Sequence, residues 1–403
     1  MKAILADVIY TDKKLLFNHG IIFDKQIITI ASHSDIIAKA KDKNITISNA
    51  NIVIPGLINP HVHLEFSSNQ TSLEYGNFIS WLYSVIKNRD ELISRCDDEM
   101  ITQTLQQMAK NGITTIGAVS SYGFDLNSCA SSKQNIIYFN ELLGSDMAMA
   151  DVLYDNFLSR FNDSSDVKRE GFYPAIAIHS PYSTNRVIIK KAIELAKSSK
   201  AHLSAHLLES HAEREWLDSG SGDFAPFFKD FLNQSTPANS ASDFISYFDD
   251  TPTLFTHATQ IDDSELEKLS KHHHTIIHCP ISNRLLGNSK LNLKSLKKHS
   301  VAYICATDGL SSHYNLDIFE ELKIALFSHS DEDLLELALE LFDSVTARSA
   351  SALGLNIGSI KEGFNADIVA IDVDYPLNEQ LPIHLLLQPK TIKDVYIKGE
   401  SIL

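Results

Sequence analysis

At 403 residues and 44% hydrophobic content, the chain has room for one large core plus a smaller appended unit, and general disorder is excluded. A formal charge of −16 opposes binding to nucleic acid or to an anionic membrane through a general field, so the expected partner is a neutral or weakly charged small molecule. The amino terminus breaks to Asp7 before a signal-length apolar core develops, no later stretch is long and apolar enough to span a bilayer, and the four cysteines lack Cys-x-x-Cys spacing; a cytoplasmic protein with reduced thiols is expected.

Strand-like runs with turn signals occupy 2–10, 20–31 and 45–54, and the tail repeats that texture at 366–372 and 391–399. Residues 1–54 and 362–403 are therefore expected to build one small β-sandwich domain from both ends of the chain. Over 55–361, eight β-rich runs follow one another, the first starting slightly upstream: 52–62, 113–119, 136–141, 173–179, 201–207, 253–257, 275–278 and 301–307. They alternate with helical stretches such as 79–111, 185–199, 262–272 and 316–328. This α/β alternation predicts parallel strands with crossover helices, and its size fits a (β/α)8 barrel of the TIM type. No Gly-x-Gly-x-x-Gly turn follows the first strand to favour an open doubly wound sheet. The His272-His273-His274 run, polar and placed after a helix, reads as a solvated helix end.

His61 and His63 stand two apart at the end of the first run, and the side-chain period of a strand is two, so both imidazoles leave one face and can converge on one metal ion. Alone this pair proves little among 17 histidines. Its weight comes from three further runs that end in residues of the same chemistry: His206 with Glu209, then His257, then Asp308. A β/α barrel places its active site at the carboxyl ends of its strands, which is where all of these fall.

The landmarks Pro55-Gly-Leu-Ile-Asn-Pro-His-Val-His63, His206-Leu-Leu-Glu209, His278-Cys-Pro-Ile-Ser-Asn283, Thr307-Asp-Gly309 and Ala352-Leu-Gly-Leu-Asn-Ile-Gly-Ser-Ile-Lys-Glu-Gly-Phe-Asn-Ala-Asp367 occur in the order found in the amidohydrolase superfamily. The chain resembles that superfamily over nearly its whole length, in particular its branch of deaminases acting on nucleobases and nucleosides. Within the branch, Glu65-Phe-Ser67, Phe139-Asn-Glu-Leu-Leu-Gly144, Ser282-Asn-Arg-Leu-Leu286 and Asp308-Gly-Leu-Ser-Ser312 look most like the aminodeoxyfutalosine deaminases of menaquinone biosynthesis. Relatives that deaminate methylthioadenosine, adenosylhomocysteine or guanine, and triazine chlorohydrolases, share the metal motifs and stay open as alternatives. So does a barrel that only binds.

The resemblance implies hydrolytic exchange of the 6-amino group of an adenine nucleoside for oxygen, with release of ammonia. Such chemistry needs water made nucleophilic near neutral pH, which a divalent metal supplies by lowering the water pKa from about 16 towards 7. Three imidazoles and a carboxylate, here His61, His63, His206 and Asp308, suit Zn²⁺, with Fe²⁺ as the alternative. By the same resemblance Asp308 also takes the water proton, Glu209 protonates the purine ring and His257 positions the attacking water. Candidate substrate contacts are His179, Glu141, Trp81, Arg284 as a partner for a substrate carboxylate, and His313. The expected partner is a small nucleoside, and a homodimer is left open.

Overall fold

The structure, a computed structural model, describes residues 1–69 and 71–403. Eight parallel strands form a nearly closed barrel: Leu57–Val62, Ile113–Ser120, Asn135–Leu142, Phe172–Ile178, Leu203–Leu207, Thr253–His257, Thr275–His278 and Ala302–Cys305. Consecutive strands are hydrogen-bonded in parallel, so that all but the first and eighth have a ladder partner on both sides. Most of their residues are buried, as expected of strands covered on both faces, and this is why they read as continuous apolar runs.

The first and eighth strands meet through side chains. Asn59 donates from Nδ2 to the Thr307 hydroxyl at 2.7 Å and accepts the Thr307 N–H at 3.2 Å, and the Asp308 N–H reaches the His61 carbonyl at 3.2 Å. These bonds bring the ends of strands one and eight, and with them His61 and Asp308, to the same rim. Ile58, Ile137, Phe139, Leu254, Ile277 and Ile304 belong to one interior core cluster with Leu353 and Ile357 from the C-terminal part of the chain.

Strands from both chain ends form a separate seven-stranded sheet, antiparallel except where Lys2–Thr11 runs parallel to Ile47–Pro55. Its core joins Ile4, Ile21 and Val53 to Ile368 and Tyr396. Asp367 ties this sheet to the barrel: one carboxylate oxygen accepts the Lys398 N–H at 2.8 Å, the other accepts Asn135 Nδ2 at 2.7 Å, and its carbonyl accepts the Gly56 N–H at 2.8 Å.

Several boundaries differ from the sequence expectation for local reasons. The run 52–62 is two strands, because Gly56 ends Ile47–Pro55, which pairs in the terminal sheet, before Leu57 enters the barrel. A Cβ on Gly56 would lie 2.3 Å from the Thr114 hydroxyl, so this junction needs the missing side chain. The run 20–31 divides into Lys14–Phe23 and Ile27–Ser32. The stretch 79–111 is two helices, Phe78–Arg95 and Asp98–Lys110, the second capped by Asp97, whose carboxylate accepts the Met100 N–H. His274 is buried, and its Nδ1 accepts the Thr253 N–H, so it is no solvated helix end. Among the described residues, no helix is long and apolar enough to cross a membrane.

Candidate active site

His61 and His63 flank Val62, which points the other way, and both imidazoles converge with His206 from the fifth strand. One nitrogen from each of the three lies within 4.8 Å of the others. His63 Nε2 is 3.4 Å from His206 Nε2, and the Nε2 atoms of His61 and His63 each stand 3.7 Å from Asp308 Oδ1. His206 Nδ1 donates to the His179 carbonyl at 2.8 Å, which leaves its Nε2 lone pair facing the cluster. Burial, reinforced by the neighbouring imidazoles, lowers the pKa values of His63 and His206 and keeps both rings neutral, the form that ligates metal. His61 Nε2 is buried without a hydrogen-bond partner, a costly state for a polar atom unless a ligand meets it. This donor set fits a divalent transition ion.

Asp308 adopts φ +60°, and the neighbouring Gly309 packs so tightly on His63 that a Cβ would fall 2.8 Å from its carbonyl oxygen. That turn aims Oδ1 at the histidines, while Oδ2 accepts the hydroxyls of Ser282 at 2.7 Å and Ser312 at 2.8 Å. Burial alone would raise the Asp308 pKa. The imidazoles of His61, His63 and His257 outweigh it and hold the carboxyl well below its usual range.

His257 ends the sixth strand at φ +73°. Its Nδ1 donates to Asn283 Oδ1 at 3.0 Å, so its Nε2 is an acceptor; that atom is 3.6 Å from Glu209 Oε1 and 3.9 Å from Asp308 Oδ2. Burial lowers the His257 pKa to about 4. Glu209 moves the opposite way, pushed well above the usual carboxyl range by burial and then by the Asp308 and Glu213 carboxylates. An acid kept protonated thus faces a carboxylate kept ionised across one neutral imidazole.

A cavity of about 380 Å³ opens over this cluster and is lined by His63, His206, Glu209, His257 and Asp308. His179, Glu141 and Trp81 also line it. His179 Nδ1 hydrogen-bonds the Ser183 hydroxyl at 2.6 Å, the Trp81 indole donates to the Ser311 carbonyl at 2.8 Å, and Glu141 accepts the Ser121 hydroxyl with one oxygen while the other has no partner. Two expected contacts fall elsewhere. Arg284 is exposed and borders a separate surface cavity with His278 and Phe327. His313 is buried, donating from Nε2 to Glu321 at 2.7 Å and accepting three backbone N–H groups at Nδ1, so both ring nitrogens are committed to structure.

Sequence reasoning singled out Trp81 but missed its neighbours Phe78, Leu82 and Val85 on the same helical wall, and the opposite wall that carries Arg160. The first is an apolar stripe at helical spacing, indistinguishable in sequence from core packing. Asn283 was visible within the His278–Asn283 motif, but nothing there gave its partner.

A parallel barrel with histidines and acidic groups gathered at the carboxyl ends of its strands is the architecture of a metal-assisted hydrolase. The chain belongs to the amidohydrolase family, whose model matches residues 52–402. It is 44% identical to the aminodeoxyfutalosine deaminase of a Nitratiruptor species, covering 100% of this chain and 99% of that protein. It is 31% identical to the adenosine deaminase of Helicobacter pylori, covering 97% and 96% respectively. Its fold superposes on the crystal structure of H. pylori aminofutalosine deaminase in complex with methylthio-coformycin with a TM-score of 0.95, at 30% identity and full coverage of both chains. The chain is thus a hydrolytic deaminase, acting on a C–N bond. Members of its family typically bind a divalent metal.

Proposed function

We propose that the protein deaminates 6-aminodeoxyfutalosine, an adenine nucleoside whose substituent carries a benzoate, with His61, His63, His206 and Asp308 holding one divalent ion, Zn²⁺ or alternatively Fe²⁺. The observation that carries this reading is the placement of His257 Nε2 3.6 Å from Glu209 and 3.9 Å from Asp308, so that an acid and a base flank one acceptor at the floor of the cavity. The 44% identity over the full chain to an aminodeoxyfutalosine deaminase supports the substrate.

The ion, when bound, supplies a Lewis acid that makes water nucleophilic near neutral pH. The remaining work belongs to side chains. His257, with its Nδ1–H committed to Asn283, accepts a hydrogen bond from the attacking water and orients it towards C6. Asp308, held ionised, takes the proton that water loses. Glu209, held protonated, gives its proton to the ring nitrogen as C6 becomes tetrahedral, and a proton passed back through the carboxylates leaves with the amine as ammonia. Glu141, with one oxygen unpartnered in the cavity, is placed to accept a sugar hydroxyl.

Ammonia release from aminodeoxyfutalosine, methylthioadenosine and adenosine at matched concentrations tests the assignment. Highest kcat/KM is expected on aminodeoxyfutalosine. Strong turnover of methylthioadenosine with none of aminodeoxyfutalosine would overturn it.

A further inference from the structure

The cavity over the histidine cluster is walled by two helices. Phe78–Arg95 contributes Phe78, Trp81, Leu82 and Val85, and Ala150–Ser165 contributes Leu153, Asn156 and Arg160; within each set the spacing of three and four places the residues on one helical face. An adenine ring held at the cluster leaves the rest of a nucleoside to lie between these walls, past the apolar side chains of Leu82, Val85 and Leu153.

One guanidinium borders this passage. Arg160 is the one lysine or arginine among the described residues that line the cavity. Its Nε donates to Asn156 at 3.3 Å, Nη1 to the Ser120 carbonyl at 3.1 Å and Nη2 to the Glu141 carbonyl at 2.8 Å. Those three bonds fix the guanidinium and leave two of its five N–H donors uncommitted. One turn beyond Val85 on the opposite helix stands Arg89, exposed, its Nε paired with Asp90 at 3.2 Å and its guanidinium beside Tyr122, whose phenol-bearing side chain also lines the cavity. Apolar walls with a pre-oriented guanidinium and a second one at the mouth recognise a substituent that is apolar along its length and anionic at its end.

We propose that Arg160, with Arg89 at the mouth, receives an anionic group on the substituent of the nucleoside and so selects carboxylate-bearing substrates over neutral ones. The proposal rests on the deaminase reading above and assigns to these two residues the part the sequence suggested for Arg284. Glu141 does not compete for the same place: Oε2 accepts the Ser121 hydroxyl, and Oε1, the oxygen left for a sugar hydroxyl, lies on the His206 side, 3.8 Å from His206 Nδ1.

The test compares aminodeoxyfutalosine with the same nucleoside bearing a primary carboxamide in place of the carboxylate, using the metal-loaded enzyme. The wild type should show a kcat/KM lower by roughly ten- to hundredfold on the carboxamide, chiefly through KM. In Arg89→Met and Arg160→Gln the ratio between the two substrates should collapse towards one. Arg160→Gln removes bonds to two barrel carbonyls and can fail to fold, whereas Arg89 is at the surface and the wild-type comparison needs no variant. Equal kcat/KM on both substrates in the wild type overturns the proposal and leaves the deaminase reading standing. Deamination of neither overturns that reading, and the proposal with it.

Discussion

Glu213 accepts the backbone N–H of Glu209 at 2.7 Å and, with its other oxygen, that of Leu208 at 3.0 Å. Leu208 sits at φ +49°, a conformation that costs a branched side chain about 1 kcal/mol or more, so these two bonds hold the turn that carries Glu209 over the cavity. Burial raises the Glu213 pKa to about 7, from 4.5.

A pH dependence of stability follows. A carboxyl whose folded pKa is raised binds its proton more tightly folded than unfolded, so its contribution is complete below the unfolded value and is lost as pH rises through about 7. Glu213→Gln cannot titrate, and its amide faces an N–H where the carboxylate had an acceptor, so it starts less stable. Urea unfolding of the two proteins at pH 4.5 and pH 8 should show the gap moving by about 3 kcal/mol against the wild type as pH rises. A gap that does not move with pH would mean that the native state keeps Glu213 ionised throughout.

Removing a proton donor and removing a ligand should have separable signatures. Glu209→Gln keeps the shape of the buried side chain and touches none of the four proposed ligands, so it should retain metal and fold while kcat falls by about 10²–10⁴-fold. His61→Ala should instead lower the metal content, because it deletes one of three converging imidazoles. Metal analysis beside steady-state rates checks both. A Glu209→Gln protein that turns over at the wild-type rate would refute the acid role.

The strand ends were legible because the chemistry coincides with a period. His61 and His63 share a face by the two-residue repeat, and His206, His257 and Asp308 each close an apolar run that the structure makes a barrel strand or its immediate continuation. Where two elements share one apolar texture, the boundary was invisible: residues 52–55 pair with the terminal sheet and 57–62 with the barrel, yet the run reads as one strand. The break at Cys96 was marked by the Asp97-Asp98-Glu99 start signal, which the longer helical periodicity masked. Arginines carried no positional signal at all. Arg284 follows the seventh strand and faces outward, whereas Arg160, on the helix after the third strand, reaches the carbonyls of Ser120 and Glu141.

The tie between barrel and terminal sheet predicts a defect in stability rather than in chemistry. Asp367→Ala removes the acceptors of the part-buried Lys398 N–H and of the buried Asn135 Nδ2, which keeps only its bond to the Thr115 hydroxyl, and should cost roughly 1–3 kcal/mol. Asp367 does not line the cavity, so the folded fraction at low temperature should keep its kcat. Thermal unfolding paired with activity per folded molecule checks this, and a stable but inactive variant would mean that the sheet is coupled to the site.

Asn283 sets which nitrogen of His257 is free. Its Oδ1 takes the Nδ1–H at 3.0 Å, and with that bond gone the buried ring has no partner to hold its proton on Nδ1. Asn283→Ala should therefore admit the tautomer with the proton on Nε2, which donates towards Glu209 and Asp308 instead of accepting from water, and kcat should drop by roughly ten- to hundredfold with KM little changed. Asn283→Asp keeps an acceptor opposite Nδ1 and should recover much of that loss, although its charge favours a protonated ring and should move the acid limb of the kcat profile to higher pH. If Asn283→Ala changes only KM, the bond holds the pocket's shape and has no part in orienting His257.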